Sequence, residues 1–177
     1  MKAPIATILM MAMSFTSTTA IAASIDELPA VTLAMEQEQQ TIDLAAAIIR
    51  SQGDLQRYLQ TTLDSSLHRL PSSARQMFVD SLVFTPRGLG SYSYIPLQTL
   101  SVTEIHQILS LFGVQTSLEA IPGLRARTAA EHLMLRPMSR PGRPNSQCYM
   151  GDKGTYCRVT QGSVCPTSCE PFAVAGE

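Results

Sequence analysis

The chain has 177 residues, of which 45% are hydrophobic, 15% charged and 6% aromatic, with 13 basic and 14 acidic side chains and a formal net charge of -1. That balance excludes a disordered tail, and it lacks the clustered positive charge with which nucleic-acid binders meet a phosphate backbone. Past the N-terminus no apolar run reaches the roughly 20 residues of a membrane helix, so no integral membrane segment is expected after processing.

Lys2 precedes an apolar stretch from Ile5 to Phe15, and small residues follow, ending in Ala20-Ile21-Ala22-Ala23. An early cation, a short apolar segment and a small-residue end make up a secretory signal peptide, so residues 1–23 are expected to be cleaved. The mature chain is then exported, either periplasmic or secreted.

From Pro29 the apolar positions Val31, Met35, Ile42, Ala45, Ala46 and Ile49 fall at helical intervals, which predicts a first helix with that stripe facing a core and Gly53 closing it. Asp54 offers an N-cap, and Leu55, Tyr58, Leu59, Leu63, Leu67 and Leu70 predict a second helix that stops before Pro71. Ser72 or Ser73 opens a third, with Ala74, Met77, Phe78 and Leu82 facing inward. Thr85-Pro86-Arg87-Gly88-Leu89-Gly90 reads as a connection, and Ser91 to Ile95 as a loop anchored by Tyr92 and Tyr94. Ser101 and Glu104 have capping-box spacing ahead of the stripe Ile105, Ile108, Leu109 and Phe112, with Gly113 as the stop. Thr128 and Glu131 repeat that spacing for a short last helix ending before Pro137.

Residues 136–147 hold Arg136, Arg140 and Arg143 among three prolines, with Met138 as their one large apolar side chain. Such a stretch buries too little to offset its ordering entropy, so a solvated linker is expected. The fold class expected is therefore mainly α: a bundle of about five short helices over 24–135, the Pro/Arg-rich linker, and a small disulfide-bonded β module over 148–177.

That module contains all four cysteines, Cys148, Cys157, Cys165 and Cys169. In an exported chain an even number of close cysteines reads as disulfides. Zinc is the weaker rival, because these intervals lack the paired short spacings of most zinc knuckles. The closest pair, Cys165 and Cys169, has three residues between its members, one more than the usual redox motif. If Thr160-Gln161-Gly162 and Asp152-Lys153-Gly154 are both three-residue hairpin loops, Cys165 lies opposite Cys157, and Tyr149 rather than Cys148 faces Cys157. The nested pairs Cys157 with Cys165 and Cys148 with Cys169 follow. A two-residue Asp152-Lys153 loop would instead oppose Cys148 to Cys157 and leave Cys165 to Cys169.

No G-x-S-x-G elbow, H-E-x-x-H, phosphate loop or dinucleotide fingerprint occurs in the chain. His106 falls on the face opposite its helix's apolar stripe and is expected in solvent, while His68 and His132 lie near helix C-termini, where a histidine meets terminal carbonyls. Neither a cofactor nor a metal is called for. The favoured reading is an exported, non-enzymatic protein-binding factor of inhibitor, immunity or envelope-accessory type, presenting Tyr149, Lys153, Tyr156 and Arg158 from the stapled module to a protein partner. The alternative is a small secreted or periplasmic hydrolase with an active site gathered from the 85–95 loop and the histidines.

Overall fold

The computed structural model describes residues 28–139, 141–152 and 154–169. The signal peptide expected at 1–23, together with Arg140, Lys153 and the tail after Cys169, lies outside the described residues. Five α-helices occur among the described residues: α1 (Leu28–Ala46), α2 (Gln52–Thr61), α3 (Ser72–Asp80), α4 (Val102–Ser110) and α5 (Ala129–Met134). The α2 N-terminus is capped by Ser51, whose hydroxyl accepts the Asp54 N–H at 3.2 Å, so Gly53 sits in the first turn of α2 instead of closing α1. The stripe running from Leu55 to Leu70 is divided, because Ser65 caps a separate 3-10 turn at Ser66–Arg69. Leu55, Leu67 and Leu70 are buried all the same. Around α4 the expected capping box is complete: Ser101 accepts from Glu104 N–H, and the Glu104 carboxylate accepts from Ser101 N–H at 2.9 Å.

The expectation of a mainly α bundle is overturned by a four-stranded antiparallel sheet, which makes the fold mixed α/β. Strands β1 (Val83–Thr85) and β2 (Gly88–Ser93) form a hairpin across the segment read as a helix connection and a loop. Pro86 and Arg87 make its two-residue turn, and the Thr85 hydroxyl accepts the Arg87 N–H at 3.2 Å. Strands β3 (Arg143–Gly151) and β4 (Gly154–Cys165) form a second, longer hairpin. The strand order is β1-β2-β4-β3, with Tyr92 opposite Val164 and Ser93 opposite Ser163 joining the two hairpins. β3 thus begins inside the stretch read as linker. Ahead of it, Glu119 accepts the Met138 N–H at 2.7 Å and Glu36 accepts the Ser139 N–H at 2.9 Å, which supply the partners a bare tether would lack.

Helices and sheet share one core, in which Phe78 meets Tyr92 and Phe112 edge to face, with ring centroids 6.2 and 6.1 Å apart. Leu89, Ile105, Ile108, Leu109 and Val164 fill the space around these rings. Burial pushes the Tyr92 hydroxyl pKa well up, and its proton goes to Ser117 Oγ at 2.8 Å, since Ser117 spends its own on the Val114 carbonyl. The first helix is turned the other way from expectation: Val31, Met35 and Ile42 remain 55%, 66% and 53% exposed. Its inner face instead joins polar and apolar groups: Gln40 bonds Thr167, Glu36 accepts the Ser139 N–H, and Leu44 packs against the core. Beyond its end the chain docks on α4, where Ile48 and Ile49 N–H both bond the Leu111 carbonyl. Gly113, at φ +68, permits the approach, since a Cβ there would stand 2.5 Å from the Asp43 carbonyl oxygen.

Candidate functional site

Across the β3–β4 hairpin Gly151 lies opposite Gly154, so only two positions separate the paired residues and the three-residue register expected there does not form. Alternation from this turn sorts the side chains into two faces. Ser146 opposite Val159, Cys148 opposite Cys157 and Met150 opposite Thr155 occupy one face. Gln147 opposite Arg158 and Tyr149 opposite Tyr156 occupy the other.

On this second face the two tyrosine rings stack, with centroids 6.2 Å apart and planes inclined by 25°. The Arg158 guanidinium lies diagonally across, its Cζ 5.9 Å from the Tyr149 ring centroid, a cation–π placement. Tyr149 donates its hydroxyl to Gln147 Oε1 at 3.4 Å. Tyr156 is 48% exposed and Arg158 is exposed, so the ladder faces solvent. Three of the four side chains picked from sequence, Tyr149, Tyr156 and Arg158, therefore come together, while Lys153 lies outside the described residues.

The cysteine face is fixed from behind by two disulfides, Cys148 with Cys169 and Cys157 with Cys165. These are the nested pairs, reached by a different geometry. Thr160-Gln161-Gly162 is not a hairpin loop, because β4 continues to Cys165. Between Ser146–Val159 and Pro144–Val164 the ladder slips, so that Asn145 alone on β3 spans residues 160–163 on β4. The Cys157–Cys165 bond therefore closes a bulge within one strand. Cys148 and Cys157 stand opposite each other, yet each bonds elsewhere.

Cys148 packs onto the first hairpin at Gly90, where a Cβ would lie 2.8 Å from the Cys148 sulfur. The Thr155 hydroxyl donates to the Cys169 carbonyl, and Arg87 donates both to that carbonyl and to Thr155 Oγ1. Arg87 thus clamps the cysteine module from the β1–β2 turn, a role that its neighbours Pro86 and Gly88 do not announce. With all four sulfurs in disulfides, no thiolate remains as a metal ligand.

The histidines stand apart from this face. His68 and His132 are exposed on a 3-10 turn and on α5, and His106 on α4 is half-buried rather than free in solvent. Burial pulls the His106 pKa down, against a smaller upward pull from Asp43. Ser91, in the segment offered for a hydrolase, is buried on β2 with no hydrogen-bond partner for its hydroxyl among the described residues. A polar cleft of about 160 Å³ between α4 and α5 contains Glu131, whose carboxylate is occupied by the Arg127 and Thr103 amides. Among the described residues no helix is long and apolar enough to cross a membrane. No family model, curated protein or solved structure matches this chain.

Proposed function

We propose that this is an exported protein-binding factor that engages its partner through the Tyr149–Tyr156–Arg158 ladder. The observation that carries the reading is the stacking of the exposed Tyr156 on the half-buried Tyr149, with a guanidinium over Tyr149, on a hairpin crosslinked twice from its other face. Tyrosine and arginine dominate the energetic centres of protein interfaces, because each combines a large apolar surface with a polar end. Their ordering cost is already met within the folded hairpin: both strands are paired and both rings have a stacking neighbour. Beside the ladder, Gly151, Asp152, Gly154 and Thr155 line an open pocket with Tyr156, a recess in which a partner's side chain can seat.

The test is a photo-crosslinking residue placed at Tyr156 in the full chain expressed in its host, with Leu63 as an exposed control on a distant loop. A discrete adduct from position 156, missing at 63 and lost on Arg158→Glu, is the expected result. With the captured partner purified, Tyr149→Ala or Tyr156→Ala should weaken binding by about 2 kcal/mol, roughly thirtyfold. Identical adducts from both positions, or undiminished affinity in the alanine variants, would refute the assignment.

A further inference from the structure

The four cysteine sulfurs form one cluster, not two separate staples. The sulfurs of Cys148, Cys165 and Cys169 all lie within 4.8 Å of one another, and Cys157 is bonded to Cys165. Cys165, one end of the Cys157–Cys165 disulfide, therefore adjoins both ends of the Cys148–Cys169 disulfide. Exposure divides the set: Cys148 is 2% exposed and Cys165 and Cys169 are 0% exposed, whereas Cys157 is only partly buried. A thiolate arriving from solvent meets the cluster at Cys157. Two alternative pairings are also prepared by the backbone. Cys148 and Cys157 are direct cross-strand neighbours, and Cys165 and Cys169 flank a turn closed by the Cys169 N–H on the Pro166 carbonyl at 3.0 Å. Arg87, bonded to the Cys169 carbonyl, ties the backbone of that cysteine to the β1–β2 turn.

We propose that this cluster is a thiol–disulfide exchange site whose substrate is a dithiol, admitted at Cys157 and relayed inward by Cys165. The thiolate of the dithiol attacks the Cys157 sulfur, the Cys157–Cys165 bond breaks, and its electron pair leaves on Cys165 as a thiolate. The second thiol of the substrate loses its proton and attacks the mixed disulfide, departing as a disulfide and leaving Cys157 as a thiol. The Cys165 thiolate then attacks the Cys169 sulfur, forming Cys165–Cys169 and releasing Cys148 as a thiolate, which takes up a proton. In balance, the dithiol loses two electrons and two protons, and the protein holds both as the Cys148 and Cys157 thiols. These two face each other across the hairpin, so an acceptor disulfide that removes the electrons joins them in a Cys148–Cys157 bond that the starting protein lacks; the original pairs return only when the relay runs backward before that oxidation.

This site is independent of the aromatic ladder, and its test does not involve a partner. The full oxidised chain is treated under native conditions with one equivalent of dithiothreitol, alkylated with iodoacetamide and mapped by peptide mass. Alkylation at Cys148 and Cys157 with a Cys165–Cys169 crosslink is the expected pattern. Alkylation at Cys157 and Cys165 with Cys148–Cys169 intact would show two independent staples and overturn the relay, as would simultaneous release of all four thiols or none. A Cys157→Ser variant gives a second reading without reductant, since it leaves Cys165 as a thiol beside the other disulfide. Label shared between Cys165 and Cys148 supports the relay, and label confined to Cys165 refutes it.

Discussion

Glu131 is almost wholly buried, yet it bears a charge, because its carboxylate takes the Arg127 N–H at 2.7 Å and the Thr103 N–H and hydroxyl at 3.4 Å each. These bonds, with the Arg127 amide foremost, hold its pKa below the ordinary carboxylate value. A carboxyl whose folded pKa is depressed stabilises the fold above its unfolded pKa, and that stability is lost as pH falls through the folded value. Glu131→Gln cannot titrate, so the gap in melting temperature between wild type and variant should be widest near neutral pH and should shrink below about pH 4. Parallel curves from pH 7 to 3 would remove Glu131 from the acid response; Glu104 and Asp54, also depressed, contribute equally to both proteins. Gly90 is the steric counterpart. An added Cβ would meet Thr85 Cγ2 at 2.6 Å and Cys148 Sγ at 2.8 Å, and neither neighbour gives way easily, one being hydrogen-bonded in a turn and the other crosslinked. Gly90→Ala should lower unfolding free energy in urea by about 1 to 3 kcal/mol, and an unchanged midpoint would mean that the two hairpins do not pack this closely.

At the level of elements, the bulge in β4 shows what the sequence carries and what it hides. Asn145 adopts φ +48, and its Oδ1 accepts both the Tyr94 hydroxyl at 2.8 Å and the Gly162 N–H at 3.3 Å. Asn145→Gly keeps the backbone conformation but loses both bonds, whereas Asn145→Ala also places a side chain in the left-handed region, at about 1 to 2 kcal/mol more. Urea melts of the oxidised proteins should therefore rank wild type above Gly above Ala, and the reverse order of the two variants would show that φ is not the constraint. The α4 capping box was readable because Ser101, Glu104 and the stripe after them interact within one turn, as was the Thr128 cap that accepts the Glu131 N–H at 3.2 Å. The strand β2 was not, since Gly88 to Tyr92 is buried throughout, which removes the alternation that marks a half-solvated strand. Its Gly90, which read as a breaker, is there to admit Cys148. The α1 stripe misled for a related reason: Val31, Met35 and Ile42 have helical spacing, but the helix is held by long-range polar bonds from Glu36 and Gln40, whose partners lie about a hundred residues along the chain. Of the candidate site, the composition was legible and the register was not, because one residue more or less in the 152–153 turn exchanges the two faces of the hairpin.

Across the whole molecule, the question is whether the cysteine hairpin belongs to the helical core or merely follows it. Val164 sits in the main hydrophobic cluster opposite Tyr92, and around it the connections are dispersed over the chain. Ser168 donates to the Leu89 carbonyl, Tyr94 to Asn145, Gln40 to Thr167 and Arg87 to the Cys169 carbonyl. Each bond is worth roughly 0.5 to 1.5 kcal/mol, and the buried Val164 side chain adds about 1.5 to 3 kcal/mol. Together they exceed what a loose domain contact supplies, although the cleaved pieces must also overcome the entropy of association. A protease-recognition sequence inserted after the exposed Pro137 would cut the chain ahead of β3 without touching any of these bonds. After cleavage, the fragment from 138 onward should co-elute with the helical fragment on size exclusion in buffer and separate from it in denaturant. Mixing the separated pieces after removal of denaturant should restore the single peak, provided the disulfides were kept. Separate elution in buffer would instead establish the hairpin as an appended module, and the β2–β4 pairing would then be a contact too weak to join them.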